Sequence, residues 1–394
     1  MGCDRTDFFA LAERVWDGAG LTRDEALAVL RSPEESLLEL LAAAYRLRHR
    51  AFGSTVQLNY LVNAKSGRCG EDCGYCSQSR VSTAPVEAYS LVSTGDLLAG
   101  AARAAEHGAR TYCIATSGRQ PSAAEWRQIC EAAAEIKRRF PLKLCVSPGL
   151  LTAEQARQLR SAGADRVNHN LNTSRAFYPR ICTTHDYDAR LATLRAARQA
   201  GLELCSGGIV GMGESEEDIV DLALELGALK VEALPVNFFQ PIVGTPLGDL
   251  RTAEGMSPVP VRSASSSVEE ERPEAGRAAA GATQEALATA APGEAHCTDR
   301  SPQRIEGRDA AGGCAVRLTP AYCLKVLALF RLANPRAELR IAAGRQVHLR
   351  SLQPLGLFAA NSMFVGDYLT TRGGSAEADR QMLADLGFEA VADG

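Results

Sequence analysis

Lys65-Ser66-Gly67-Arg68-Cys69-Gly70-Glu71-Asp72-Cys73-Gly74-Tyr75-Cys76 is the stretch from which the rest of the chain is read. It sets three cysteines in a C-x3-C-x2-C run directly behind an apolar, strand-like stretch at 56–62. Thiolates are preferred ligands of zinc and of iron–sulfur clusters, and the surrounding glycines let backbone wrap closely round a compact inorganic core. The number three is informative. A structural zinc site is closed by four protein ligands, and no fourth Cys or His follows at finger-like spacing. A four-iron cluster held by three cysteines keeps one iron open for a small molecule. Zinc, or plain core cysteines, is the alternative.

Upstream of the loop the chain reads as helices. Thr22 with Glu25 fits a capping box, Ser32-Pro33-Glu34-Glu35 is a second helix start, and Leu37, Leu38, Leu41, Ala44 and Leu47 share one face. Downstream, short apolar strands are expected at 110–115, 142–146, 166–171, 203–210, 233–239, 338–342 and 361–365. Amphipathic helices are expected at 96–106, 123–140, 152–162, 187–199 and 215–226, with capping boxes at Ser122/Glu125 and Thr152/Gln155. This alternation calls for a parallel sheet with helices outside. With the strand before the cysteine loop there are eight, so the expected fold is α/β, a closed (β/α)8 TIM-type barrel.

The pattern breaks at 252–315, where the composition turns to Ala, Glu, Ser, Gly and Pro with almost no large apolar residues. Such a tract cannot bury enough surface to offset chain entropy. The expected organisation is an N-terminal helical cap at 1–52, the first part of the barrel at 53–251, a disordered insertion at 252–315, and barrel completion with a C-terminal segment at 316–394. His296 and Cys297 fall inside the insertion and are not taken as ligands.

The 394 residues are 46% hydrophobic, with a formal charge of −4 and a pI near 6.0. That balance gives no reason to expect nucleic acid or an anionic membrane as partner. No apolar run approaches the ~20 residues of a spanning helix, and the first fifteen residues lack the apolar core of a secretory signal. Twelve cysteines in a chain of this kind point to free thiols and a cytoplasmic, reducing compartment.

Three further cysteines, Cys113, Cys145 and Cys205, lie on expected strands. Strand side chains alternate between faces, so in a closed barrel they could meet at one interior spot, although a free cysteine often simply packs. Arg340 sits mid-strand in an apolar pattern, and a barrel-interior arginine needs an acid or an anionic cluster beside it. The polar run Asn168-His169-Asn170-Leu171-Asn172-Thr173-Ser174 lies where a strand should end, the end at which barrel active sites are built. Turn and cap chemistry is the plainer account of it. The loop Gly207–Glu214 lacks dinucleotide-fingerprint spacing but allows close approach of backbone to a flat ring.

Together these pieces resemble the radical S-adenosylmethionine (SAM) enzymes, and among them the biotin synthase family. The resemblance is carried by the cysteine loop ending Gly74-Tyr75-Cys76-Ser77-Gln78-Ser79, by Asn168–Ser174, Cys205-Ser206-Gly207-Gly208 and Pro235-Val236-Asn237-Phe238, and by Ser351-Leu352-Gln353-Pro354 through Val365-Gly366-Asp367-Tyr368-Leu369-Thr370-Thr371. It implies sulfur insertion into dethiobiotin. Cys69, Cys73 and Cys76 would hold a [4Fe–4S] cluster, and Cys113, Cys145, Cys205 and Arg340 a [2Fe–2S] cluster. Asn170, Asn172 and Arg190 would contact SAM, with Gly207, Gly208, Ile209 and Glu214 near its adenine, and Asn168 and Asn237 would bind dethiobiotin. The resemblance also implies a flavodoxin- or ferredoxin-type reductant and a homodimer. The competing readings are another radical SAM enzyme, methyl-transferring or maturase-type, and a non-catalytic iron–sulfur or zinc protein.

Departures from the family are few. Gly70 stands where a proline is common, Asn172 where some members carry Asp, and Cys182 is taken as a bystander. The insertion is the largest departure and is expected to be passive. Deleting 259–313 should leave the folded state, measured by circular dichroism, and the iron content unchanged; loss of either would show that the tract supports the barrel.

Overall fold

In a computed structural model of the chain, which describes residues 6–67, 69–261, 316–366, 369 and 375–391, the eight apolar stretches close on themselves. The strands are β1 (Thr55–Lys65), β2 (Thr111–Thr116), β3 (Lys143–Ser147), β4 (Arg166–Asn168), β5 (Glu203–Cys205), β6 (Gly208–Val210), β7 (Ala233–Phe238), β8 (Glu338–Ile341), β9 (Ser362–Phe364) and β10 (Glu389–Val391). Every pairing is parallel, in the order β1-β2-β3-β4-β5-β7-β8-β9, and β9 returns to β1. The strand expected at 203–210 is broken at Ser206–Gly207. β5 and β6 each pair with β7 and together make one stave of the eight. The short, exposed β10 adds to the outer end of β1 and has no apolar run to announce it.

The helices are α1 (Phe8–Trp16), α2 (Arg23–Leu30), α3 (Leu37–Phe52), α4 (Thr94–Glu106), α5 (Ala123–Arg139), α6 (Ala153–Ser161), α7 (Tyr187–Gln199), α8 (Glu216–Leu229), α9 (Pro246–Ala253), α10 (Pro320–Ala333), α11 (Arg345–His348), α12 (Gln353–Ala359) and α13 (Ala376–Asp385). Capping boxes form at Thr22, Ser122 and Thr152 as the spacing predicts, and also at Ser93 and Ser215, where an aspartate takes the third position. The Ser93 box starts α4 two residues earlier than its apolar pattern suggests. The start expected at Ser32 is different: its hydroxyl donates back to Val29 O, and a single tight turn at Glu34–Ser36 precedes α3.

α10 is buried at every position from Cys323 to Leu332. It lies against α2 and α3 of the N-terminal cap and against α8 and α12 of the barrel coat, so it has no solvent face and shows no polar stripe. α9 runs to Ala253, and Val259 N bonds to Pro241 O at 2.7 Å. Ordered backbone therefore continues into the first residues of the stretch expected as an insertion. Residues 262–315 of that stretch, with His296 and Cys297, lie outside the described residues.

Two arginines at 0% exposure hold the cap side together without a carboxylate. Arg331 donates to Ala359 O at 2.8 Å, Ala337 O at 2.8 Å and Asn361 Oδ1 at 2.7 Å. Arg48 donates to Thr55 O at 2.9 Å and to Gly53 O, and lies 4.2 Å from the Phe388 ring centroid. Gly53 O and Ala359 O lie at the C-terminal ends of α3 and α12, where a cation is favoured; the others lead into β1, β8 and β9. Burial pushes the Arg331 guanidinium down to about 9 and that of Arg48 to about 10, so both stay charged at neutral pH. Arg331→Met should cost about 3 kcal/mol or more through the carbonyls it strands, read as a lower urea midpoint; a change within about 0.5 kcal/mol, the usual surface value, would show that water replaces it.

Candidate active site

The parallel register decides which side chains meet inside the barrel. Cys113 is paired with Cys145, Cys145 with Arg166, Asn168 with Cys205, Pro235 with Arg340, and Arg340 with Ser362. The strand cysteines consequently form a small interior cluster with Ala233, Ala342 and Phe364, separate from the main core. The Cys145 thiol interacts with those of both Cys113 and Cys205. That contact holds the Cys205 thiol down at about 6; burial opposes it, and Arg340 and Arg166 reinforce it. Cys145 is correspondingly pushed well up, by its interactions with the other two and then by burial.

Arg340 is 1% exposed and faces this trio, with its guanidinium carbon 4.9 Å from the Phe364 ring centroid. It donates to Glu338 Oε1 at 2.5 Å and to Ser362 Oγ at 3.2 Å. Arg166 takes the other oxygen of Glu338 at 2.7 Å. Burial pushes the Glu338 carboxyl up, but the two arginines outweigh it and hold it well below the usual carboxylate range. Arg166 also pairs with Glu203 at 2.8 Å, which Lys143 shares at 2.8 Å, so three cations meet two acids and the wall behind the thiols carries net positive charge. Of the partners the sequence left open for Arg340, the acid is present as Glu338, and the same side chain faces the strand thiols.

The cysteine loop follows β1 at the C-terminal end of the barrel. It has no regular structure of its own and is tied down from outside. Gly74 N donates to Ile181 O at 2.8 Å, and Gly67 N to Gln78 Oε1 at 2.9 Å. Asp72 accepts from the backbone N–H groups of Thr183 at 2.9 Å and Thr184 at 3.1 Å. Glu71 accepts from Thr184 Oγ1 at 2.6 Å and pairs with His185 Nδ1 at 2.5 Å. These acids, which precede a cysteine and look like solvated charges in the sequence, are anchors. They offset the freedom that Gly70 gives the loop. Cys182 is no bystander: its Sγ lies 3.7 Å from Cys73 Sγ.

One cavity of about 360 Å³ is lined by the loop cysteines, by Cys113 and Cys145, and by Arg340. Asn168, Asn170, Asn172, Arg190, Ile209 and Asn237 also face it. Asn170 Oδ1 accepts from Gly207 N at 3.1 Å, and Asn172, in the left-handed region at φ 70, donates to Tyr75 OH at 2.6 Å. Arg190 donates to Asn170 O at 2.7 Å and to Tyr178 OH. Asn168 Nδ2 reaches Cys205 Sγ at 3.2 Å. Asn237 bridges Gly208 O at 3.0 Å and Ala343 N at 3.1 Å. Of the loop expected near adenine, Ile209 alone is among the residues lining the cavity. At Gly207 a Cβ would sit 1.8 Å from Pro235 O, so that glycine serves strand packing. Glu214 folds back to accept from Gly211 N at 2.5 Å.

A parallel barrel whose first strand ends in a three-cysteine loop defines the radical SAM class, and the model described as "Radical SAM superfamily" matches residues 64–226. A second model, "Biotin and Thiamin Synthesis associated domain", matches 302–389. The chain is 46% identical to the biotin synthase of Bacillus velezensis over 379 residues, 96% of this chain and 93% of that one. It is 46% identical to that of Geobacillus kaustophilus over 383 residues, 97% and 96%, and 44% identical to that of Bacillus subtilis over 379 residues, 96% and 94%. Among solved structures, methylornithine synthase superposes with a TM-score of 0.69 at 17% identity, covering 97% of each chain. The [FeFe]-hydrogenase maturase HydG of Carboxydothermus hydrogenoformans gives 0.69 at 13%, covering 98% of this chain and 80% of that one. At such identities both show the fold alone. The chain belongs to the biotin synthase family and is a sulfur-inserting enzyme of the radical SAM class.

That class implies a [4Fe–4S] cluster and SAM, and the residues fit. Cys69, Cys73 and Cys76 are free thiols on one cavity wall, with room beside them for a small molecule. Among the described residues no helix is long and apolar enough to cross a membrane. The Glu338 pairing carries a test of its own. Glu338→Gln should cost about 3–5 kcal/mol by leaving buried Arg340 without its acid while Arg166 keeps Glu203, measured by urea unfolding; a loss under about 1 kcal/mol would show that the thiols compensate Arg340.

Proposed function

We propose that this chain forms biotin from dethiobiotin inside the 360 Å³ cavity, with the loop cysteines and the strand cysteines holding separate clusters at its two ends. The observation that carries the reading is the convergence of Cys113, Cys145 and Cys205, from three different staves, beside a buried Arg340. When bound, a reduced four-iron cluster with SAM supplies a deoxyadenosyl radical, and a two-iron cluster supplies the sulfide that is inserted.

The protein's part is to hold, orient and exclude. Cys69, Cys73 and Cys76 would ligate the first cluster, and Cys113, Cys145, Cys205 and Arg340 the second. Thiolates and sulfide bring negative charge, which the wall formed by Arg340 and Arg166 balances. Asn170, Asn172 and Arg190 lie between the two cysteine sets and offer donors and carbonyls to SAM, with Ile209 as an apolar face for its adenine. Glu214 and the two glycines act one layer back by shaping that loop. Asn168 and Asn237 present amides suited to the cyclic urea of dethiobiotin, since an amide can donate and accept at once. Enclosure by strand side chains keeps water from a carbon radical. A flavodoxin- or ferredoxin-type reductant and a homodimer complete the proposal.

Anaerobic incubation of reconstituted protein with reductant, SAM and dethiobiotin, followed by mass spectrometry, should yield biotin and deoxyadenosine. Cys205→Ala should keep SAM binding and deoxyadenosine formation while biotin formation is lost. Retained biotin formation would remove Cys205 from its role. About four irons per chain instead of six, as one cubane cluster would give, would favour a radical SAM enzyme without the inner cluster.

A further inference from the structure

Cys73 touches two side chains that the cluster reading leaves unused. Cys182 and His185, a C-x2-H pair ahead of α7, reach the cysteine loop from 109 and 112 residues away along the chain. One ligating atom each of Cys73, Cys182 and His185 lies within 4.8 Å of the others. Cys73 is 8% exposed, Cys182 4% and the His185 side chain 6%. Tetrahedral zinc with Zn–S bonds of about 2.3 Å sets two thiolate sulfurs about 3.8 Å apart, and Cys73 and Cys182 stand at 3.7 Å.

The imidazole is held at both of its nitrogens. Arg190 Nη2, which can only donate, lies 2.9 Å from Nε2, so that nitrogen carries the lone pair. Nδ1–H then faces Glu71 Oε2 at 2.5 Å. A carboxylate behind one ring nitrogen while the other binds the ion is the usual support of a zinc-bound histidine, and here Arg190 holds that second nitrogen in the ion's place. Cys182 Sγ lies 3.3 Å from Nδ1 and 4.0 Å from Nε2, so a small turn of the ring would bring Nε2 onto the ion. Asp72 Oδ1, 3.2 Å from that sulfur, adds negative charge that favours a divalent ion.

We propose that in the cluster-free chain Cys73, Cys182 and His185 bind a zinc ion, with water as fourth ligand and Arg190 withdrawn from Nε2. Binding releases the two thiol protons to solvent and involves no redox change. Because Cys73 belongs to both donor sets, zinc and the four-iron cluster exclude one another. Cys182 thus sets how readily the loop is captured by the wrong metal.

The test uses the full-length, metal-free chain carrying Cys145→Ser and Cys205→Ser, which leaves Cys113 as the single inner thiol and so removes that set as a competing site. Zinc is titrated against a chromogenic chelator, and cobalt(II) is followed through its thiolate charge-transfer band. Adding Cys182→Ala or His185→Gln should weaken zinc at least about ten-fold and lower that band, whereas Cys69→Ala and Cys76→Ala leave both unchanged. Equal loss in Cys69→Ala, or none in Cys182→Ala, overturns the site. Circular dichroism confirms that each variant is folded, and Cys182→Ser replaces Cys182→Ala if that one is not. In reconstitution with iron, sulfide and equimolar zinc, otherwise unaltered protein should take up less iron than Cys182→Ala; equal uptake overturns the exclusion.

Discussion

Everything in the site depends on the seam where β9 meets β1. The two strands pair at Gln57–Ser362, Leu58–Met363 and Asn59–Phe364. Asn59 stitches the seam from within, donating from Nδ2 to Ser362 Oγ at 2.7 Å and to Met363 O at 3.1 Å. β1 delivers the cysteine loop, while β8 and β9 deliver Arg340, Ser362 and Phe364. Without that seam the two ends of the cavity would belong to opposite edges of an open sheet. The last staves also come after the 262–315 tract, so the barrel closes only when the chain returns from it.

Charge is distributed within the barrel in a consistent way. The inner end holds thiols backed by Arg340 and Arg166 on Glu338, with Glu203 behind Arg166, and the mouth holds thiols backed by Glu71 and Asp72 with hydroxyl, amide and imidazole donors around them. The first environment favours anions and the second is close to balanced. An interior of this kind is costly to leave empty of partners, and each buried charge described here has one. Where no acid among the described residues is at hand, as at Arg48 and Arg331, backbone carbonyls take that place.

Most of the barrel was legible because each stave is a short apolar run flanked by a capped helix, and those are local signals. The helical cap was legible for the same reason, apart from the start of α3. The strand cysteines were legible as candidates only, since alternation gives the face of a strand but not its register with the next. What escaped was non-local or polar. Cys182 and His185 meet the cysteine loop through a fold that no spacing encodes, and Glu338 and Arg166 look like strand-end charges until the register joins them. Gly207, Gly208 and Glu214, read as ligand contacts, are not among the cavity-lining residues: a Cβ on Gly207 would meet Pro235 O of β7, one on Gly208 the Leu222 side chain of α8, and Glu214 caps its own loop. β10 and α13 are too short or too polar to stand out from their surroundings.

Asn172 holds a left-handed backbone conformation at the cavity wall, with its amide committed to Tyr75. Outside glycine, asparagine and aspartate are the residues that adopt it with least strain. The backbone therefore restricts the alphabet at this position before any ligand is considered. Exchange of Asn for Asp there is a change of charge on a nearly unchanged shape, so evolution can adjust the polarity of the cavity wall at position 172 without rebuilding the loop that carries it.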